Sequence, residues 1–309
     1  MNVKGNEKKI ERRRNFRYTL FALPALIYLL LFNYLPMSGI VVAFKDYKHV
    51  DGIWGSAWVG LKNFEFFFQS SDAWRILRNT IGYSLAILIC LNLVGGMIVA
   101  ILLYEVRNRF ANKFYQTAML LPDFVSWVVI SFIAYLFLNP TNTGILNRLL
   151  TSLGLDAINW YNEPKYWPFI IVFFQMWKAV GMAALYYYAA LLNVDPSLYE
   201  AAVMDGASKF RQIWHISVPE LMPMACLVLI TQLGGILGGS FDMFYQLPMN
   251  SGALYPTTDV ISTYVYRGLT SGTVGVSAAI GLIQGVVGLV LVIITNTIIK
   301  KVQPENAMF

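Results

Sequence analysis

Four polar side chains stand where the surrounding sequence is otherwise apolar. Gln175 and Lys178 interrupt the run Tyr166–Leu192, Gln232 lies within the uncharged run Leu221–Phe241, and Asp242 follows it directly. Polar groups within hydrocarbon are costly unless they face protein or a wet cavity, so these side chains are expected to point inward. Trp127, Tyr135, Trp177, Tyr245 and Gln246 occur on or beside the same runs. Aromatic faces next to hydrogen-bonding groups suit a sugar, and these nine residues form the candidate substrate path. Trp and Tyr also anchor helices at membrane interfaces, which accounts for Tyr166 and Trp167. Lys178 has other options: a backbone carbonyl, Asp123 or Asp242. No covalent chemistry accompanies the set. His49 and His215 fall on opposite sides of the topology derived below, and Cys90 and Cys226 lie inside apolar runs. Without a nucleophile–base spacing or a ligand cluster, no catalytic residue and no metal site are assigned. A Gly-x-x-x-x-Gly-Lys-Ser/Thr phosphate loop is missing too, so this chain does not hydrolyse ATP by that route.

These side chains must be held by membrane helices. The chain has 309 residues, 57% hydrophobic and only 13% charged, with a formal charge of +6. A soluble domain carries about 25% charged residues, and a spanning helix needs roughly 20 apolar ones. Six runs qualify: Tyr18–Phe44, Asn79–Tyr104, Phe114–Leu138 across Pro122 and Asp123, Tyr166–Leu192, Leu221–Phe241, and Gly268–Ile299 with its core at Val274–Ile299. The expected fold is all-α and polytopic: a basic tail over 1–17, then one six-helix domain over 18–309.

Basic residues set the orientation. Seven of them between Lys4 and Arg17 put the N-terminus in the cytosol. Alternation puts Arg107, Arg109 and Lys113 on the same side, together with Lys300, Lys301 and the C-terminus. The basic residues flank apolar spans with no base-reading motif beside them, so they suit a lipid surface and not nucleic acid. In the first outer loop, Phe64, Phe67, Phe68, Trp74 and Leu77 suggest an amphipathic helix lying on the membrane. Glycines Gly234, Gly235, Gly238 and Gly239, and Gly281, Gly285 and Gly288, suggest close helix packing or hinges.

The inside loop 193–219 breaks the charge rule, with Lys209 and Arg211 against Asp195, Glu200 and Asp205. Ser197 followed by Glu200 has the spacing of a capping box, so a helix is expected to start there. Ala201 and Ala202 keep it narrow, and Gly206 permits a sharp turn. Phe210, Ile213 and Trp214 continue a second short helix, which Pro219 is expected to end. Two short helices with small residues at the bend would let another protein approach the backbone closely.

Glu200-Ala-Ala, Asp205-Gly-Ala207, Phe210, Ile213 and Pro219 resemble the EAA loop of binding-protein-dependent ABC importer permeases. Asn33–Met37, Ala43–Asp46, Trp58–Phe64, Leu77–Thr80 and Asp259–Tyr266 are similar to the carbohydrate branch of that family, within its LplB-like group, which includes an alginate importer subunit. Where other carbohydrate permeases have a Gly-Gly-Pro turn after the fifth span, this chain has Met249–Gly252. The resemblance implies a type I ABC importer permease in the cell membrane, forming half of an oligosaccharide path and coupling it to ATP hydrolysis elsewhere. It implies that Glu200, Ala201, Ala202, Asp205, Gly206, Ala207 and Phe210 form the docking core for a cytosolic ABC ATPase dimer. That dimer would hold the ATP and Mg, with no cofactor on this chain. It also implies a second homologous permease and an extracytoplasmic solute-binding protein. The rival class is an ion-driven secondary transporter, which calls for internal repeats and paired ion sites at broken helices. One mid-span charge and no convincing repeat favour the importer.

Overall fold

The computed structural model describes residues 18–141 and 144–302. The basic tail over 1–17 lies outside the described residues. Helix α1 (Tyr18–Phe44) passes through a π segment at Leu30–Tyr34 just ahead of Pro36. Its second half packs on the last helix, while its first half stays exposed. Strands β1 (Lys45–Asp46) and β2 (Ala57–Trp58) pair antiparallel in the first loop. Lys45 of β1 is buried, donating to Ile53 O at 2.9 Å and Trp54 O at 3.0 Å in the segment that joins the strands. Helix α2 (Lys62–Gln69) follows, and it is no surface helix throughout. Phe67 is 1% exposed against Ile76 and Ile261, while Trp74 is exposed on the next helix.

Helix α3 (Ser71–Glu105) starts eight residues before the apolar run, because Asp72, Arg75 and Arg78 find partners at that end of the bundle. The third span is broken. Helices α4 (Arg109–Phe124) and α5 (Trp127–Leu138) meet at 96°. Pro122 cannot donate a backbone bond there, and Ser126 caps the new helix by accepting from Val129 N–H. Five helices among the described residues are long enough to cross a membrane, and counting this bent pair makes six.

Helix α6 (Ile145–Ser152) leads to α7 (Pro164–Leu191), the centre of the bundle. A Cβ added at Gly96 of α3 would meet Ala183 of α7 at 3.1 Å, and one at Gly181 of α7 would meet Met119 O of α4 at 2.2 Å. Small residues therefore let three helices touch backbone to backbone. Helix α8 (Pro196–Met204) precedes α9 (Lys209–Gly234). This fifth span ends at Gly234 and not at Phe241, since Gly235–Gly239 unwinds the chain, with Gly239 at φ +55°. Helices α10 (Phe241–Gln246) and α11 (Ile261–Ser271) follow, and Gly272, at φ +92°, turns the chain into α12 (Val274–Val302). Gly234 and Gly288 bring α9 and α12 together: a Cβ on Gly288 would lie 2.7 Å from Gly234 O. Gly281 and Gly285, by contrast, face open space.

Candidate functional site

Loop 193–219 begins with a cap on Asp195, not on Ser197. The Asp195 carboxylate accepts from Ser197 N–H at 2.9 Å, and Pro196 takes the first helical position. Pro is suited there because its missing N–H would be unpaired anyway. The same N–H holds the Asp195 carboxyl below its ordinary pKa. Helix α8 closes in a Schellman motif: Ala207 N–H reaches Ala202 O at 2.8 Å and Gly206 N–H reaches Val203 O at 3.0 Å. Gly206 sits at φ +74°, the left-handed position that this motif reserves for glycine.

The expected second short helix is instead the first part of α9. Pro219 does not end it. A π segment over Ile213–Ser217 rearranges the backbone bonding just ahead of Pro219, and the helix runs on through it. Tyr199 OH and Ser217 Oγ lie 2.9 Å apart and fasten α8 to α9, and Lys209 pairs with Glu105 of α3 at 3.0 Å. Glu200, Ala201, Asp205 and Gly206 are exposed, Ala202 and Ala207 half-buried. Around them Leu198, Val203, Met204 and Phe210 are exposed, Met204 by 87% and Phe210 by 71%. Apolar side chains so exposed beside a narrow Ala–Gly bend form a surface suited to a protein partner.

The membrane half of the site divides the candidate residues. Gln175 and Gln232 line a cavity of about 410 Å³ with Thr80, Ser84, Asn92 and Ser240. A second cavity of about 280 Å³ continues from it, sharing Asn92 and Gln232 and reaching Tyr186 and Thr231. The polar part of the wall is thus neutral, made of amides, hydroxyls and backbone, and it is set among apolar side chains such as Ile87, Leu88, Met243 and Phe244. Asn92, Thr80 and Ser84 are not among the sequence candidates, although Asn92, in the middle of the apolar run Asn79–Tyr104, gives the same signal as Gln175.

Lys178 is used elsewhere. Its Nζ donates to the carbonyls of Asp123 and Val125, the latter at 2.8 Å, and lies 3.5 Å from Pro122 O and 3.9 Å from the Asp123 carboxylate. These carbonyls are the ones left open where α4 breaks from α5. Trp127 lies under the same ammonium at 5.9 Å. Trp177 faces away from the polar cavities, in an apolar groove with Phe137, Phe169 and Phe173. Tyr135 packs on Tyr161 at 5.6 Å. Asp242, Tyr245 and Gln246 lie on α10, whose contribution to the cavity is Met243 and Phe244. Tyr245 stacks on Phe241 at 5.1 Å instead.

A buried ion cluster closes the end of the bundle opposite the loop. Asp259, 1% exposed, takes Arg267 Nη2 at 2.6 Å, Arg75 Nη2 at 3.4 Å and Thr263 Oγ1 at 2.9 Å. Asn79 donates to Asp259 O at 3.0 Å. The segment before α11 is thereby tied to α3 beside the cavity. Next to it, Met249 and Asn250 stand at φ +53° and +48°, a left-handed pair where glycines would be unstrained.

Residues 92–304 match the family described as binding-protein-dependent transport system inner membrane component. The chain is 38% identical over 292 residues to Protein LplB of Bacillus subtilis (strain 168), covering 93% of this chain and 89% of that one. It is 37% identical to the polygalacturonan/rhamnogalacturonan transport system permease protein YteP of the same organism, covering 93% and 88%. Among solved structures it superposes on a chain of a bacterial alginate ABC transporter, crystallised in complex with a periplasmic protein carrying an alginate pentasaccharide. The TM-score is 0.84 at 31% identity, over 98% of each chain.

Proposed function

This chain belongs to the binding-protein-dependent transport system inner membrane components, and from that premise we propose that it forms one half of the path by which an oligosaccharide enters the cell. It is a multi-pass permease subunit of an ABC importer in the cell membrane. Its relatives' names point to polymeric sugars, and the neutral polar wall at Asn92, Gln175 and Gln232 suits hydroxyl groups. A second permease would supply the facing wall, and a solute-binding protein would deliver cargo at the Asp259 end. Residues 1–17, the loop 193–219 and the C-terminus are cytosolic in this reading, with 18–309 as one transmembrane domain. ATP and Mg act on the partner ATPase.

One observation carries the coupling mechanism: docking loop and cavity share a single helix. Between Lys209 and Gln232 the helix is uninterrupted, roughly 35 Å at 1.5 Å per residue. An ATPase dimer that closes on ATP would move Leu198, Val203, Met204 and Phe210 with it. The helix would carry that displacement to Gln232 without a flexible link. The two ATPase states must contact the loop differently for this to shift the permease between inward- and outward-facing forms.

The test is reconstitution of the full importer in proteoliposomes with wild-type chain or Gly206→Val. A Cβ at this φ of +74° is strained but meets no neighbour within 4 Å, so the variant acts first on the bend. The expected result is an assembled bundle with lost sugar-stimulated ATP hydrolysis. Coupled uptake at the wild-type rate in the variant would overturn the docking assignment. Uptake by this chain alone, driven by an ion gradient, would favour a secondary transporter. Mass spectrometry of the ligand retained by the binding protein would identify the sugar.

A further inference from the structure

The start of α4 holds a cleft that the transport path does not use. It has a volume of about 350 Å³ and is lined by Arg107, Arg109, Lys113, Asn112, Gln116 and Tyr188, among others. The three cations are exposed, and among the described residues none has an ion-pair partner. The neighbouring carboxylate, Glu105, is held by Lys209 at 3.0 Å. The cleft is a formed structure. Asn112 Nδ2 donates to Leu103 O at 2.8 Å and to Tyr188 OH at 3.2 Å, tying the 106–108 turn to α3 and α7. Asn108 caps α4, accepting from Phe110 N–H at 2.9 Å.

A second feature adjoins it. Phe110, Phe114 and Leu121 share one face of α4 and are 88%, 67% and 62% exposed. Cations at the mouth of a helix whose apolar face then descends into the bilayer match the two parts of a phospholipid: an anionic headgroup and its acyl chains.

We propose that Arg107, Arg109 and Lys113 form a binding site for the phosphate headgroup of an anionic phospholipid in the leaflet at the loop end, its acyl chain lying along Phe110, Phe114 and Leu121. The site neighbours the Glu105–Lys209 pair that joins α3 to α9, so an occupied cleft would brace the base of the coupling loop. Free phosphate has the same headgroup chemistry but no use for the aromatic face.

The test uses the assembled importer, purified and incubated with phosphatidylglycerol or phosphatidylcholine, and reads retained lipid by native mass spectrometry. Arg107→Gln/Arg109→Gln is compared with Lys300→Gln/Lys301→Gln, which removes the same charge from the end of α12 at the same side. Each basic residue contributes about a factor of five, so the first pair is expected to weaken phosphatidylglycerol retention about thirty-fold. The second pair should leave it within about two-fold, and Phe110→Ser/Phe114→Ser should weaken it with all charges present. Equal loss in the two charge variants, or no loss in the first, would overturn the site. Displacement by inorganic phosphate with no effect of the phenylalanine variant would replace the lipid with a free anion. Release of the ATPase from Arg107→Gln/Arg109→Gln, with lipid retention intact, would reassign the cleft to that partner.

Discussion

Replacing Lys178 with Met separates a structural from a substrate role for the single mid-span lysine. In the folded chain its ammonium serves the Asp123 and Val125 carbonyls and stands near the Asp123 carboxylate. The methionine stem fills similar space but donates nothing. Two carbonyls at the α4–α5 break then lose their donor in a membrane, where water does not readily replace it. Each unsatisfied acceptor costs about 1–3 kcal/mol. The Asp123 side chain is 30% exposed, so the lost ion pair adds little. The total is about 2–6 kcal/mol, and the 96° elbow should loosen. Thermal unfolding of the detergent-purified importer, followed by size-exclusion chromatography, should show a melting temperature lower by about 5 °C or more. Lys178→Arg, which still donates, should recover part of it. A Lys178→Met importer that melts like wild type, but needs much more sugar for half-maximal uptake, would refute the bracing role and return Lys178 to the substrate path.

Gly181→Ala places a methyl 2.2 Å from Met119 O, so α4 and α7 must part, at about 3 kcal/mol; the check is yield of monodisperse importer, with Gly281→Ala, which meets nothing, as control. Arg267→Gln leaves buried Asp259 short of its nearest cation and should cost about 3–5 kcal/mol. Adding Asp259→Asn should restore much of that in the same melting assay. Met249→Gly relieves a left-handed residue and should stabilise by about 1 kcal/mol, read as a higher melting temperature. Asp195 has a folded pKa below its unfolded value, so its cap contributes at neutral pH and is lost as pH falls through that lowered pKa. Amide-exchange protection of α8, corrected for intrinsic rates, should therefore fall with acid in wild type and change less in Asp195→Asn.

What the sequence disclosed follows from the range of the interactions involved. The short helix and bend of loop 193–219 were legible because their signals are local: the residue types at Glu200 to Gly206 lie within two helical turns. Even so, the cap was placed two residues late, since Ser197–Glu200 and Asp195–Pro196 compete for the same helix start and Pro at N1 decides it. The third span reads as one run across Pro122, and the lysine that donates to the carbonyls at its break, Lys178, lies more than fifty residues away. Gln175 and Gln232 stood out as polar residues in apolar runs, whereas aromatic residues carry no such sign of direction, and Trp177 turned to the apolar side. The Arg75–Asp259 pair joins residues 184 apart, and no periodicity reports a contact of that kind.

The positions of the glycines with left-handed backbone add a mechanical argument. Helix α9 lies between Gly206 at φ +74° and the unwound Gly235–Gly239, the last at φ +55°. Between these joints its π segment is stapled by Tyr199 to α8, and its last turn is fixed on α12 through Gly234 and Gly288. In the proposed coupling the Tyr199 staple makes α8 and α9 move as one body, and the change in angle would fall on the unwound Gly235–Gly239. That joint forms part of the cavity wall through Gly235, Gly238 and Gly239. Side chains at these points would narrow the cavity and stiffen the joint together, so in the proposed function the glycines there would serve the path's shape as well as its motion. The fifth span therefore has to stop at Gly234: a helix continued to Phe241 would couple the loop to α10 directly and leave the cavity without the backbone that lines it.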